Sequence, residues 1–388
     1  MKINSLYIFF LALSLLAGCT KSEEAELFHI KNARLSIAVK IAGKTGSSTK
    51  AVDGDIHALQ GETDINNLSV LIFDYAGNRT GYKWESLESA RGTATINNVE
   101  TQTGQARIVI VSNVPENAFS SVRTYGEFQN QYARLATQAR TNLTMSSPLI
   151  STNDALSEGD NYIGFSTMEN VDGMNEPVYI TRIAARVDLS SVEAHFAGTA
   201  LAGRQVRVDA ISLIEVKEAS RYFSEAHWGE VEMPGNFMET IGFNNVNAYV
   251  SENSPYRPTE SAYVMENAAS EKATCLLIRA TLLENDEYRE ETHDYIVRIN
   301  ENGIKNGYDH NFIKRNNVYA LNVTFTEESF TNIPKAEPDP DPVPDPVPDP
   351  DPDPDPDPVP PTPDEPTKIS VNVWIYEWGE VVQNPVFD

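Results

Sequence analysis

Histidine is the side chain best suited to acid–base chemistry near neutral pH and to metal binding, and the chain contains six histidines. They are His29, His57, His195, His227, His293 and His310. No His-Glu-x-x-His motif, short histidine pair or Gly-x-Ser-x-Gly motif occurs. Residues 43–45 (GKT) look like the end of a phosphate-binding loop, but Ala38 stands where its first glycine belongs. The sequence therefore predicts no enzyme, no catalytic residue, no metal and no cofactor. A hydrolase that uses two of the many carboxylates remains an alternative.

A second reactive group is the thiol of Cys19. It follows Lys2 and an apolar run of 12 residues, 6–17, which suits a signal peptide better than a membrane span. Residues 16–19 (LAGC) resemble a bacterial lipobox, in which the cysteine is acylated while the signal peptide is removed. We expect residues 1–18 to be a lipoprotein signal peptide and Cys19 to carry the lipid, such as palmitate. Cys275 then has no partner and is predicted to be a small buried residue.

Charge restricts the class of partner. The chain has 56 acidic and 30 basic residues, a formal net charge of −26. A field of this sign repels phosphate backbones, so no nucleic-acid partner is expected. Residues 337–367 are rich in alternating Asp and Pro, which predicts an extended polyproline II spacer. Because apolar residues follow it, we expect the spacer to present residues 368–388.

The elements that position these residues read mostly as β-strands. Residues 68–73 and 108–111 are continuous apolar runs, which predict strands buried on both faces. Residues 183–189 and 319–325 alternate and predict half-buried strands. Residues 124–127 have the spacing of a capping box and predict one helix that extends to Leu135. With 388 residues, the chain is expected to form two mostly antiparallel β-sandwich domains, residues 51–178 and 179–336.

Two segments at opposite ends of the chain share one apolar rhythm, residues 35–41 (LSIAVKI) and 369–375 (ISVNVWI). The apolar positions on one face are Leu35, Ile37, Val39 and Ile41 in the first and Ile369, Val371, Val373 and Ile375 in the second. Both segments could fill the same row of pockets, which predicts donor-strand complementation: the first strand is released and the second is inserted into a neighbouring subunit. Trp374 and Trp378 belong to the donor segment and are expected to dock against the accepting subunit together with it. The alternative is that both are ordinary half-buried strands.

Several short segments, taken in order, resemble one family over nearly the whole chain. They are residues 32–40 (NARLSIAVK), 161–165 (NYIGF), 182–186 (RIAAR), 262–267 (AYVMEN), 313–319 (IKRNNVY) and 373–378 (VWIYEW), followed by Gln383 and Asn384. The sequence is similar to the FimA/Mfa-type fimbrillins, lipoprotein precursors of the type V pili of Bacteroidales. The resemblance implies two transthyretin-like, Greek-key β-sandwich domains and a C-terminal strand that fills a groove in the next subunit.

The resemblance also implies how the precursor matures. Residues 19–50 would be a propeptide that carries the released strand, and a trypsin-like protease would cut between Lys50 and Ala51. Family members are cut after Arg, whereas this position is Lys, so a protease that also accepts Lys is implied. The implied partners are copies of the chain or other fimbrial subunits, the outer membrane through the lipidated precursor, and host or bacterial surface receptors.

The expected function is that of a structural subunit of a cell-surface fimbria, polymerised by donor-strand exchange and supporting adhesion and biofilm formation. The presence of a C-terminal donor strand favours a place in the shaft. Two alternatives stay open: an accessory or anchor subunit of the fimbria, and a monomeric surface lipoprotein that binds glycans through exposed Trp and Tyr side chains.

Overall fold

The computed structural model describes residues 31–42, 58–223, 237–238, 241–243, 246–258, 261–286, 288–330 and 369–378. These residues form a mostly β structure, which confirms the predicted class at that level. The strands of the first half of the chain are β1 (Asn32–Ile41), β2 (Asp64–Phe73), β3 (Arg79–Arg91), β4 (Thr93–Gln102), β5 (Arg107–Ser112), β6 (Tyr132–Arg134), β7 (Met145–Ser146), β8 (Ile150–Ser151), β9 (Gly159–Ile163) and β10 (Val178–Arg182).

The second half contains twelve further described strands. They are β11 (Ala184–Ala194), β12 (Val206–Ile214), β13 (Val216–Lys217), β14 (Ala219–Arg221), β15 (Phe237–Met238), β16 (Ile241–Phe243), β17 (Ala248–Val250), β18 (Ser261–Met265), β19 (Cys275–Leu282), β20 (Glu291–Arg298), β21 (Asn317–Phe325) and β22 (Ser370–Glu377). The helical elements among the described residues are one short α-helix, α1 (Tyr125–Gln129), and three 3₁₀ turns, Leu135–Thr137, Val171–Gly173 and Glu327–Ser329.

The first hydrophobic core is built on a nine-stranded sheet. Its strand order is β3-β2-β5-β7-β10-β1-β4, with β8 paired to β5 and β9 paired to β1. The core draws on alternate residues of β1, β2, β4 and β5, such as Leu35, Val70 and Ile108. Residues 68–73 and 108–111 are buried throughout, as predicted from their uninterrupted apolar runs.

The second hydrophobic core lies between two smaller sheets. One has the order β18-β11-β21-β22, and the other has the order β16-β12-β19-β20 with β17 paired to β12. Alternate residues of β11, β12, β19 and β21 fill the space between them, among them Val187, Ile211 and Leu321. Cys275 is buried at the start of β19, as expected.

The boundary between the two cores follows β10. This strand pairs with β1 and β7 and belongs to the first sheet, which therefore extends to Arg182. The second core begins at Ile183. The domain limits given above remain predictions, and the signal peptide, the spacer and residues 379–388 lie outside the described residues.

Two local predictions were wrong in detail. The capping box of Thr124 and Glu127 is present, but α1 ends at Gln129, because residues 132–134 pair with β14 instead of continuing the helix. The segment 183–189 is not half-buried: Arg186 in β11 is 1% exposed. Arg186 can be buried because it pairs with the buried carboxylate of Glu62. The alternation of apolar and polar residues in the sequence does not reveal this pairing.

Within the described ranges, no helix is long and apolar enough to cross a membrane.

Candidate functional site: the β1 slot and the C-terminal strand

β1 is bonded along both of its edges. It runs antiparallel to β4, from Asn32 opposite Gln102 to Lys40 opposite Thr93. On the other edge it runs parallel to β9 and then to β10. The four predicted apolar residues of β1 are all 0–1% exposed. We call the space it occupies between β4 and β9–β10 the β1 slot; without β1, this slot would expose unpaired backbone and an apolar row.

The β1 slot is fitted closely to its strand at Gly164. This residue has φ +88°, and a Cβ placed on it would lie 2.8 Å from the carbonyl oxygen of Ala38 in β1. Glycine is therefore required at position 164, both because of the positive φ and because the Ala38 carbonyl approaches so closely. Nearby, the Asn161 side-chain amide donates to the Arg34 carbonyl at 3.3 Å. The segment 161–165 thus forms part of the slot wall.

The predicted donor strand, residues 369–375, lies in its own subunit and forms part of β22 from Ser370 onward. It pairs antiparallel with β21, from Thr324 opposite Ser370 to Asn317 opposite Glu377. Its four apolar side chains are half-buried and pack on the second core. Trp374 points away from that core and is 40% exposed. Along most of its length, β22 is therefore an edge strand held by one neighbour among the described strands.

Trp378, directly after β22, is held much more tightly: it is 0% exposed. Its indole Nε1 donates to Glu62 Oε2 at 2.9 Å, and its ring stacks on Tyr263 with 6.0 Å between centroids and 9° between planes. The guanidinium carbons of Arg182 and Arg186 lie 4.8 and 5.4 Å from its ring centre. Stacking and two cation–π contacts in a buried site make this the strongest attachment of the C-terminal strand. We call these four partner residues the Trp378 socket.

The centre of the Trp378 socket is the buried carboxylate of Glu62, which is 0% exposed. Arg186 Nη1 lies 2.6 Å from Oε2, the Tyr263 hydroxyl donates to Oε1 at 2.7 Å, and the Leu59 N–H donates to Oε2 at 2.6 Å. Arg186 also contacts Asp188 at 2.9 Å. A carboxylate taken out of water needs partners of this kind, and here each oxygen has at least one.

The electrostatics follow from this burial. Burial and the nearby Glu62 carboxylate both disfavour ionisation of Tyr263, so the pKa of its hydroxyl is raised. Burial opposes the charge of Arg186, but Asp188 and Glu62 outweigh it, so the pKa of the guanidinium is raised as well. The socket therefore contains a neutral phenol and two guanidinium groups around one carboxylate. This arrangement binds an indole.

The Trp378 socket joins elements from both cores. Glu62 precedes β2, Arg182 ends β10, Arg186 lies in β11 and Tyr263 lies in β18. Arg182, Arg186 and Tyr263 lie in segments that resemble the family, but the sequence predicts no role for them. Glu62 carried no signal at all, because its importance depends on contacts with residues more than a hundred positions away.

The remaining predicted site residues are not brought together. Cys19, Lys50 and Ala51 lie outside the described residues, so the lipidation and cleavage sites stay predictions. Leu35, Ile37, Val39 and Ile41 lie in the β1 slot, whereas Ile369, Val371, Val373 and Ile375 lie on the second core. The part of the chain that the structure describes contains no cluster of three His, Cys, Asp or Glu residues able to hold a metal ion.

Comparison with known proteins gives two adjoining family matches. Residues 33–182 match the major fimbrial subunit protein (FimA), and residues 183–378 match the C-terminal domain of fimbrium tip subunit Fim1C-like proteins. The "Putative fimbrium tip subunit Fim1C" of Parabacteroides distasonis is 44% identical over 98% of each chain. A crystal structure of a "putative cell adhesion protein" from the same species has 40% identity and a TM-score of 0.76, over 90% of this chain and 98% of that one.

A more distant structure shares the fold. Fimbrilin FimA of Porphyromonas gingivalis aligns with a TM-score of 0.50 at 19% identity, over 76% of this chain and 90% of that one. The family matches and the 44% identical tip-subunit relative show that the chain belongs to the FimA/Mfa-type fimbrillins. It is a structural subunit of a cell-surface fimbria, and the families that match it are structural rather than enzymatic.

Proposed function

We propose that this chain is a tip subunit of its fimbria: it accepts a strand from the next subunit in the β1 slot and keeps its own C-terminal strand. The observation that carries this proposal is the complete burial of Trp378 in its own subunit. A donated strand would have to withdraw that indole from the Trp378 socket. The tip-subunit names of a matching family and of the 44% identical relative support the same position.

The proposed assembly route begins with a lipoprotein precursor. Lipidated Cys19 holds the precursor at the outer membrane, and a trypsin-like protease then cuts between Lys50 and Ala51. Residues 35–41 leave, and the C-terminal strand of another fimbrial subunit enters between β4 and β9–β10. The two cores would correspond to two transthyretin-like, Greek-key domains. At the tip, the subunit would contact host or bacterial surface receptors and so support adhesion and biofilm formation.

The alternative is that residues 369–375 act as the donor. In its favour, β22 is an edge strand whose apolar side chains are only half-buried. Releasing β22 would break its pairing with β21 and expose side chains that are only half-buried. It would also withdraw Trp378 from the Trp378 socket. That alternative places the chain in the shaft, as the C-terminal strand suggested from sequence, and the two positions differ in whether the cleaved subunit can polymerise by itself.

After cleavage at Lys50, we expect the purified subunit to bind a labelled peptide of residues 32–42 and to form no ladder on an unboiled gel. The peptide would bind because it restores the native occupant of the β1 slot, and a ladder would be missing because β22 stays in place. Peptide binding is measured by fluorescence anisotropy, with uncleaved precursor as the control. A ladder that is lost when residues 369–388 are deleted would establish donation and overturn the tip proposal.

A second candidate function, glycan binding, is favoured by a groove of about 1040 Å³ beside β22. Aromatic and amide side chains line it, among them Tyr308, Trp374, Tyr376, Asn302, Asn306 and Asn372. Aromatic faces stack on sugar rings, and amides bond to hydroxyl groups. The charged lining residues Arg298 and Glu301 pair with each other at 2.7 Å, which favours an uncharged ligand.

If the groove binds glycans, a panel of neutral oligosaccharides is expected to yield at least one ligand whose affinity falls about tenfold in Trp374→Ala, because an aromatic stacking contact contributes up to about 1.5 kcal/mol and about 1.4 kcal/mol is a tenfold change in affinity. Isothermal titration calorimetry measures the affinity. Tyr249→Ala is the matched control, since Tyr249 is 56% exposed but does not line the groove. No binding across the panel, or equal losses in both variants, would remove this candidate.

A further inference from the structure

We infer that Trp378 and Glu62 form a latch through which the strand in the β1 slot holds the C-terminal strand in its own sheet. The filled slot would stabilise the Trp378 socket, and an empty slot would loosen it. The latch rests on the proposed acceptance of a strand in the β1 slot, because the accepted strand would then also stabilise the C-terminal end of the chain.

The first step is that Trp378 dominates the attachment of β22. The side chains of β22 that face the second core are only half-buried, and Trp374 is 40% exposed. Trp378 is fully buried and has hydrogen-bond, stacking and cation–π partners. Its main chain is also held, since the Trp378 N–H donates to the Asn316 carbonyl at 3.2 Å. Whatever changes the socket therefore changes the stability of the docked strand.

The second step is a direct connection from β1 to Arg182. Val39 and Ile41 of β1 lie opposite Val178 and Ile180 of β10, and the Ala42 N–H donates to the Ile180 carbonyl at 2.8 Å. Two residues further on, β10 ends at Arg182, which is 0% exposed, lies against the Trp378 ring and donates from Nε to the Glu62 carbonyl at 3.1 Å. A strand in the slot thus supports one edge of the element that ends in the socket.

The third step is a second connection, from β1 to Glu62. The Ile41 N–H donates to the Gly92 carbonyl at 2.8 Å, and the Gly92 N–H donates to the Thr63 carbonyl at 3.0 Å. Thr63 is the immediate neighbour of Glu62. Main-chain hydrogen bonds thus connect the end of β1 to Ile180, two residues before Arg182, and through Gly92 to Thr63, the residue after Glu62. Arg182 and Glu62 both contact the indole of Trp378.

The expected behaviour is reciprocal, because a coupling free energy between two sites acts equally in both directions. Weakening β1 in its slot should make β22 exchange faster with solvent while it stays docked, and weakening Trp378 in its socket should loosen β1. An indirect effect through general loss of stability would instead spread over all strands of the first core. Comparing matched variants within that core separates the two cases.

The test is hydrogen–deuterium exchange of the full-length precursor, followed by mass spectrometry. Val39→Ala is compared with Val70→Ala, because both valines lie in the first core at 1% and 0% exposure, but only Val39 lies opposite β10. We expect exchange in residues 370–378 to be about fivefold faster in Val39→Ala, the lower end of typical coupling between sites. The exchange rate of β2 is measured in the same samples, and the rate for residues 370–378 is compared with it to correct for global unfolding.

The reverse test compares Trp378→Phe with Trp374→Phe and measures exchange in β1, where only the former is expected to increase it. Should Val39→Ala not fold, Ile41→Val with Ile65→Val as its control repeats the comparison with a smaller change. Equal exchange of residues 370–378 in the two matched variants, or unchanged exchange of β1 in Trp378→Phe, would overturn the latch. The tip proposal is judged separately by the absence of a ladder, so either can fail alone.

Discussion

Replacing Arg186 by Met is expected to lower the free energy of unfolding by about 3–5 kcal/mol, the usual cost of breaking a buried ion pair from one side. Met has a similar length, so the change mainly removes charge. The Glu62 carboxylate would remain 0% exposed without its ion-pair partner, while its neutral donors Tyr263, Trp378 and the Leu59 N–H stay in place. Denaturant unfolding followed by circular dichroism measures the difference.

Arg279→Met is the matched control for this prediction. Arg279 pairs with Asp294 at 2.7 Å, but the two side chains are 58% and 45% exposed, so the loss is expected to stay below about 1 kcal/mol. Adding Glu62→Gln to Arg186→Met should recover part of the lost stability, since it removes the unpaired charge. Similar losses in Arg186→Met and Arg279→Met would mean that the pair at the socket contributes no more than a surface pair.

Replacing Trp378 by Ala is expected to cost about 3–5 kcal/mol, as for other fully buried aromatic residues. The substitution removes the stack on Tyr263, both cation–π contacts and the donor to Glu62. We therefore expect residues 370–378 to become accessible to proteases and the melting temperature to fall. Limited proteolysis and calorimetry measure the two effects.

Trp374→Ala is the control for this prediction, because it removes the same side chain from the same strand at a position that is 40% exposed. Its effect on stability is expected to stay within about 1 kcal/mol. If both tryptophans prove equally dispensable, β22 is a loosely held edge strand and donation becomes the better account. A large effect at Trp378 alone supports a C-terminal strand that remains in its own subunit.

Local patterns in the sequence were sufficient to predict several secondary-structure elements. The apolar runs at 68–73 and 108–111 are buried strands, and Thr124 and Glu127 form the predicted capping box. The alternation of Leu35, Ile37, Val39 and Ile41 identified β1 as a strand with an apolar face. These predictions succeeded because hydrophobic periodicity and capping are decided by residues within a few positions of one another.

Contacts between distant residues were beyond such patterns. Arg186 occupies a position that reads as the exposed side of an alternating strand, yet it is buried because Glu62, from before β2, lies against it. The helix predicted to reach Leu135 stops at Gln129 because β14, far along the chain, pairs with residues 132–134. In both cases the deciding partner is distant in sequence, so no local propensity could reveal it.

The sequence by itself determined the family, the mostly β class and the two apolar strands at the ends of the chain. It did not determine what each of those strands does, since residues 35–41 and 369–375 carry nearly the same pattern. The tertiary structure placed one strand in a slot bonded on both edges and the other at the edge of its own sheet, attached by Trp378. The physical reason is that periodicity records which side chains seek burial, whereas the partner that buries them is chosen only when the whole chain folds.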